Sequence, residues 1–151
     1  MTLTIDVNVL VYAQNRTSEF HEAARRVLES ELATGEPVYL FSSVIVAFFR
    51  ISTQAGVVPR VLEPERVFEN VRALLALPHV VFGGPDDSFV DRLQGEVRQS
   101  KVAGRVIHDA EIVALMRTHG VDRILTADRD FQRFPGITVT LLERPRSGQS
   151  P

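Results

Sequence analysis

The stretch LTIDVNVLVYA, Leu3 to Ala13, starts as an apolar strand and then admits an aspartate, Asp6, and an asparagine, Asn8, before the apolar pattern resumes. A carboxylate at the edge of a core loses hydration, so it must be protonated, hydrogen-bonded or matched by a cation. The residue type and its place at a strand end therefore pose a chemical question as well as a structural one.

The same change of character recurs along the chain, with short β-branched runs alternating with stretches of helical spacing, the pattern of an α/β fold. Phe20, Ala23, Ala24, Val27, Leu28 and Leu32 form one helical stripe. PVYLF (Pro37–Phe41) reads as a second strand, with Ser42 or Ser43 as the N-cap of a helix through VIVAFFRIS that is apolar on most sides and so expected between layers or in an interface. Pro64 suits the first turn of a helix carrying Val67, Val71, Leu74 and Leu75 inward and closed by Pro78. HVVF (His79–Phe82) is a short strand, and a helix follows from Asp86 to about Gln99. Gly104 marks a break before the helix in VIHDAEIVALMRTHG, with Gly120 just past its end. RILTAD (Arg123–Asp128) and ITVTLL (Ile137–Leu142) are the last strands. These elements predict one domain over residues 1–142 and a flexible tail over 143–151.

Composition narrows the chemistry. The 151 residues are 44% hydrophobic and 24% charged, as in an ordinary globular domain, with a formal net charge of −2. A nucleic-acid partner would then be met by a local basic patch, not by the field of the whole molecule. There is no cysteine, so thiolate metal sites and thiol nucleophiles are excluded and carboxylates or histidines carry any reaction. No apolar run reaches the roughly 20 residues of a membrane span, and the N-terminus lacks a signal-peptide pattern, which makes a cytoplasmic protein with no membrane partner the expectation.

In an open parallel sheet, ligands bind beyond the carboxyl ends of the strands where strand order reverses. Asp6 and Asp128 each end a strand, and Asp109 opens a helix, so these three are expected to converge. Two carboxylates about 4 Å apart repel by roughly 4 kcal/mol at an effective dielectric of 20. Such a cluster takes up protons or a cation, and oxygen-only ligands suit Mg²⁺ or Mn²⁺, the ions of metal-assisted phosphodiester hydrolysis.

The blocks IDVNVLVYA, SSVIVAFFRIST, HDAEIVAL and LTADRDFQRFPG, in this order over Leu3 to about Leu142, resemble the PIN-domain ribonucleases, most closely the VapC-type toxins of toxin–antitoxin pairs. The resemblance implies a three-layer α/β/α fold with a central parallel sheet. It also implies a divalent-metal-dependent endoribonuclease acting on RNA and restrained by a VapB-type antitoxin. By position, Asp6, Asp109 and Asp128 match the first, third and fourth acids of that family. Asp130 matches a further acid, and Asn8 and Thr126 match polar residues of the pocket. The second acid, a glutamate three residues before an arginine, is replaced: counting back from Arg50 gives Ala47.

Other readings stand beside these. Asp6 can cap a helix, Asp109 can answer a helix dipole, and Asp128 and Asp130 can form a turn. Asn8 can hold the Asp6 carboxylate. His108 reads as structural, Glu111 as pointing away from Asp109 and solvated, and His21, His79 and His119 as packing or surface residues. Arg98, Lys101, Arg105, Arg129 and Arg133 form either a phosphate-binding rim or a mixed surface. Phe48 and Phe49 read as core, or as part of an antitoxin groove or homodimer contact. Two other functions fit the same residues: a weakened PIN-like module that binds RNA or antitoxin, favoured by Ala47, and a phosphatase with Asp6 as nucleophile, whose usual D-x-D is D-x-N here.

Overall fold

A computed structural model describes residues 2–145. In chain order its elements are β1 (Leu3–Ile5), α1 (Val7–Gln14), α2 (His21–Ala33), β2 (Val38–Phe41), α3 (Ser42–Thr53), α4 (Pro64–Leu75), β3 (Val80–Gly83), α5 (Phe89–Ser100), α6 (Ile107–His119), β4 (Arg123–Thr126) and β5 (Thr138–Leu141). The five strands form one parallel sheet in the order β3-β2-β1-β4-β5. Right-handed crossovers then place α1 to α4 on one face and α5 and α6 on the other, the three-layer arrangement that the resemblance implied. Helix packing agrees: α1 meets α2 and α3, and α5 meets α6.

β1 is buried along its length, as a central strand covered on both faces must be. Leu3, Val38, Leu40, Ile124 and Leu125 fill the sheet interior, and Val113, Leu115 and Met116 of α6 pack against it. The all-buried run Ile112–Met116 explains why α6 shows little amphipathic pattern in sequence. Backbone chemistry sets several boundaries. Pro64 occupies the first turn of α4. Gly120 ends α6 at φ 67°, where a side chain would be strained. Gly83 at the end of β3 is needed for another reason: a Cβ there would lie 2.8 Å from the Phe41 ring.

Some expectations need correction. Neither serine caps α3: Phe41 holds the cap position without a side-chain hydrogen bond, and the Ser43 hydroxyl is buried without a partner among the described residues. Nor is α3 enclosed all round. Val44, Phe48 and Ser52 form its buried face, whereas Val46 is 67% exposed. Phe48 is core, and Phe49 packs on Phe68 of α4 at a ring distance of 4.2 Å. The strands are shorter than read, because Asp6 and Asp128 belong to the turns that leave β1 and β4. Of the expected tail, residues 143–145 are exposed and 146–151 lie outside the described residues.

Candidate metal centre

β1 lies between β2 and β4, so the strand order reverses between β1 and β4 and the chain leaves both strands at the same edge of the sheet. Asp6 follows β1 directly, and Asp128 follows β4 after one residue. Both are thereby delivered to the crevice that open parallel sheets provide. Asp109 arrives from the first turn of α6.

Asp6 is 6% exposed, and both its oxygens accept hydrogen bonds. Oδ1 accepts from the Val7 backbone N–H at 2.7 Å, which caps α1. Oδ2 accepts from the Thr126 hydroxyl at 2.6 Å and the Asn8 amide at 3.0 Å. Asn8 in turn accepts from the Ala127 N–H at 3.1 Å, and Thr126 Oγ1 from the Asp128 N–H at 2.9 Å. Asn8 and Thr126 thus tie the exits of β1 and β4 together. Burial raises the Asp6 pKa against the opposing effect of these bonds, with the Asp128 charge adding to the rise.

Asp128 Oδ1 accepts from the Asp130 N–H at 2.8 Å in the turn after β4. That turn does not use up the acids. One carboxylate oxygen each from Asp109, Asp128 and Asp130 lies within 4.8 Å of the others. Asp109 is pushed up to about 7, first by desolvation, then by the charges of Asp128, Asp6 and Asp130, with Arg105 opposing weakly. The crevice therefore gathers more negative charge than it neutralises. Oxygen-only donors so crowded fit a small divalent cation. Asp6 stands beside this trio as an electrostatic neighbour of Asp109 and Asp128.

Asp6 and Asp109 also line a cavity of about 540 Å³ with Ala47, Arg50, His108 and Glu111. Ala47 thus presents a methyl group to the cavity. Glu111 does not turn away from the site as expected. His108, Glu111 and Ile112 form an i, i+3, i+4 stripe facing the cavity, and Asp109 stands at its edge. Counting only the Asp109-to-Glu111 offset hid that stripe. His108 is exposed, with its Nδ1 3.6 Å from Glu111. The expected rim is only partly assembled. Arg133 contacts Asp130 at 3.4 Å and Arg105 acts on Asp109, whereas Arg129 lines a separate cavity with Phe20 and Leu142. The remaining histidines pack: His21 bonds the Tyr12 carbonyl, His119 the Gly84 carbonyl, and His79 Nε2 is buried.

Comparison with known proteins agrees with this geometry. The family model of the PIN domain matches residues 3–137. Ribonuclease VapC48 of Mycobacterium tuberculosis is 37% identical over 139 residues, covering 92% of this chain and 96% of its own length. Two solved structures share the fold. VapC20 of M. tuberculosis, described as a sarcin-ricin loop cleaving toxin, superposes with a TM-score of 0.67 at 15% identity, over 90% of this chain and 98% of its own. VapBC2 from Rickettsia felis, bound to a DNA fragment from its promoter, gives 0.65 at 17% identity over 95% and 100%. A sheet that brings the exits of β1 and β4 together, a trio of clustered aspartates and a family match over nearly the whole chain lead to one conclusion: this chain belongs to the PIN-domain family, among its VapC-type members.

Proposed function

We propose that the protein is the toxin of a toxin–antitoxin pair, a divalent-metal-dependent endoribonuclease that hydrolyses RNA phosphodiester bonds. The observation that carries this reading is the meeting of Asp109, Asp128 and Asp130 within 4.8 Å. These three, with Asp6 beside them, are assigned to hold Mg²⁺ or Mn²⁺. When bound, such a cation supplies charge neutralisation at the phosphate and an activated water. The chain itself supplies positioning. Thr126 and Asn8 fix the Asp6 carboxylate, and the Asp130 N–H fixes that of Asp128. Arg50, in the wall of the cavity, offers a guanidinium to an incoming phosphate.

VapC-type relatives supply the partner class, and a solved VapBC assembly shares this fold. We assign a cognate VapB-type antitoxin, a homodimer, a single domain over residues 1–142 and a cytoplasmic setting on that basis. No helix among the described residues is long and apolar enough to cross a membrane. The Asp6 oxygens are already engaged by three donors, which weighs against a phosphatase with Asp6 as nucleophile. Ala47 favours a weakened binding module, and the retained aspartate trio weighs against it.

The deciding experiment is cleavage of a mixed RNA pool by the purified, antitoxin-free protein in Mg²⁺ or Mn²⁺, beside an EDTA control and Asp109→Asn prepared identically. Cleavage lost in both controls is the expected result. A folded wild type without cleavage, active only as Ala47→Glu, would give the binding-module reading precedence.

A further inference from the structure

A second cavity, of about 500 Å³, lies at the other end of the α1 and α3 pair. Val7 of α1 and Arg50 of α3 belong to the acid cavity, while Gln14 of α1 and Ser52 of α3 belong to this one. At 1.5 Å per helical residue the two lie about 10 Å apart along α1. Its charge is opposite: Arg16, Arg60 and Arg66 line it, and no carboxylate does. Arg66 is held by Glu69 at 3.2 Å, but Arg16 and Arg60 have no ion-pair partner among the described residues.

The cavity is a built feature of the fold. The Leu62 N–H donates to the Ser52 carbonyl at 2.9 Å, which pins the α3–α4 loop as one lip. Asn70 of α4 donates to Gln14 of α1 at 3.4 Å across the cavity. Ser52 itself is 2% exposed and lines the cavity. Unpaired guanidiniums and a hydroxyl, without acids, are donors suited to phosphate oxygens.

We propose that this cavity binds a backbone phosphate of the RNA strand, a few nucleotides from the bond placed at the aspartates, with Arg16 and Arg60 as its cations and Ser52 as a hydroxyl donor. The inference rests on the nuclease reading above. A strand lying along α1 and α3 would meet the acids and their cation at one end and the arginines at the other. The arginine cavity then favours longer strands over short ones.

The test is fluorescence anisotropy in Mg²⁺ with a labelled, 2′-O-methylated single strand of about eight nucleotides, a length within the range single-strand sites occupy. Arg16→Gln/Arg60→Gln is compared with the wild type over a salt series, with thermal melting to confirm folding. The expected result is an affinity loss of about tenfold or more and a slope of log K against log salt smaller by about 0.7, the value for one phosphate contact on a single strand. Arg16→Lys/Arg60→Lys keeps the slope, and Ser52→Ala loses about two- to threefold, a modest hydrogen-bond contribution. Unchanged affinity and slope in the Gln variant, with a wild type that cleaves RNA, would overturn the phosphate site alone. A wild type that neither binds nor cleaves RNA would overturn the nuclease reading and this site with it. A Gln variant that keeps RNA affinity but loses its antitoxin would give the cavity to a protein partner instead.

Discussion

The two ends of β4 treat carboxylates in opposite ways. At its amino end Arg123 meets Glu31 of α2 with two parallel bonds of 2.7 and 2.8 Å, and this pairing lowers the Glu31 pKa. At its carboxyl end Asp128, Asp130, Asp109 and Asp6 crowd together with only weak help from Arg105 and Arg133, and the Asp109 pKa rises to about 7. The first arrangement is neutralised within the chain and ties α2 to the sheet. The second is complete only with a proton or a cation from outside. A carboxylate that the fold neutralises serves structure, and one that it leaves charged and crowded is available for chemistry.

The largest effect that can break this comparison is catalytic. Asp128→Asn should lower Mg²⁺-dependent RNA cleavage by about a thousandfold or more, as expected when a main electrostatic contribution of several kcal/mol is removed. Single-turnover assays on a fluorogenic RNA measure it, and an undiminished rate would remove Asp128 from the site. At the other end of β4, Arg123→Met should cost about 2–3 kcal/mol in urea unfolding, because Glu31 is left partly buried without its partner. Cleavage per folded molecule should stay unchanged there. Parallel losses in both assays would erase the distinction.

The pH dependences should run in opposite directions. Asp109 ionises near 4 when unfolded and near 7 when folded, so the metal-free native state binds the extra proton between these values. Stability from this group is fully present below about 4 and is lost as pH rises through about 7. Glu31 has a lowered folded pKa, so its contribution is present above its ordinary value of 4.5 and is lost as pH falls through the lowered one. Asp109→Asn should therefore stabilise the metal-free protein at pH 8 by about 1–2 kcal/mol, the shift being discounted for solvent that reaches the cavity. Mg²⁺ should raise the melting temperature of the wild type more than that of the variant. Chemical denaturation with and without EDTA checks both, and equal Mg²⁺ gains would place the ions elsewhere.

The smallest effect sharpens the role of the methyl group in the cavity wall. Ala47→Glu adds a carboxylate beside Asp6 and Asp109 and should lower metal-free stability by about 1 kcal/mol while enlarging the Mg²⁺-dependent gain in melting temperature. Differential scanning calorimetry with and without Mg²⁺ measures the two. A variant that is more stable without metal would show that position 47 does not share the acids' field.

Much of this was legible in the chain. Alternation of β-branched and helical runs gave the α/β class, and Asp6 and Asp128 announced themselves by standing where apolar strands end. Asp109 could be placed because helix starts favour negative charge. The serine cap of α3 failed because a capping residue type fixes only a preference, and here the chain turns straight from β2 into α3 at Phe41. Glu111 was missed because its direction depends on how α6 is rolled against the sheet. The place of Arg129 stayed open between rim and mixed surface because a turn of five residues can point a side chain to either side, and the fold turns it to a separate cavity.

Local pattern and residue chemistry thus determined the elements, the α/β class and the list of acids, since these follow from spacing along one segment at a time. Only the tertiary structure decided that β1 lies against β4, that three aspartates meet within 4.8 Å, and that Arg16, Arg60 and Ser52 share a cavity. Those are juxtapositions of segments as much as 120 residues apart, and they depend on crossover handedness and packing, which no local preference encodes.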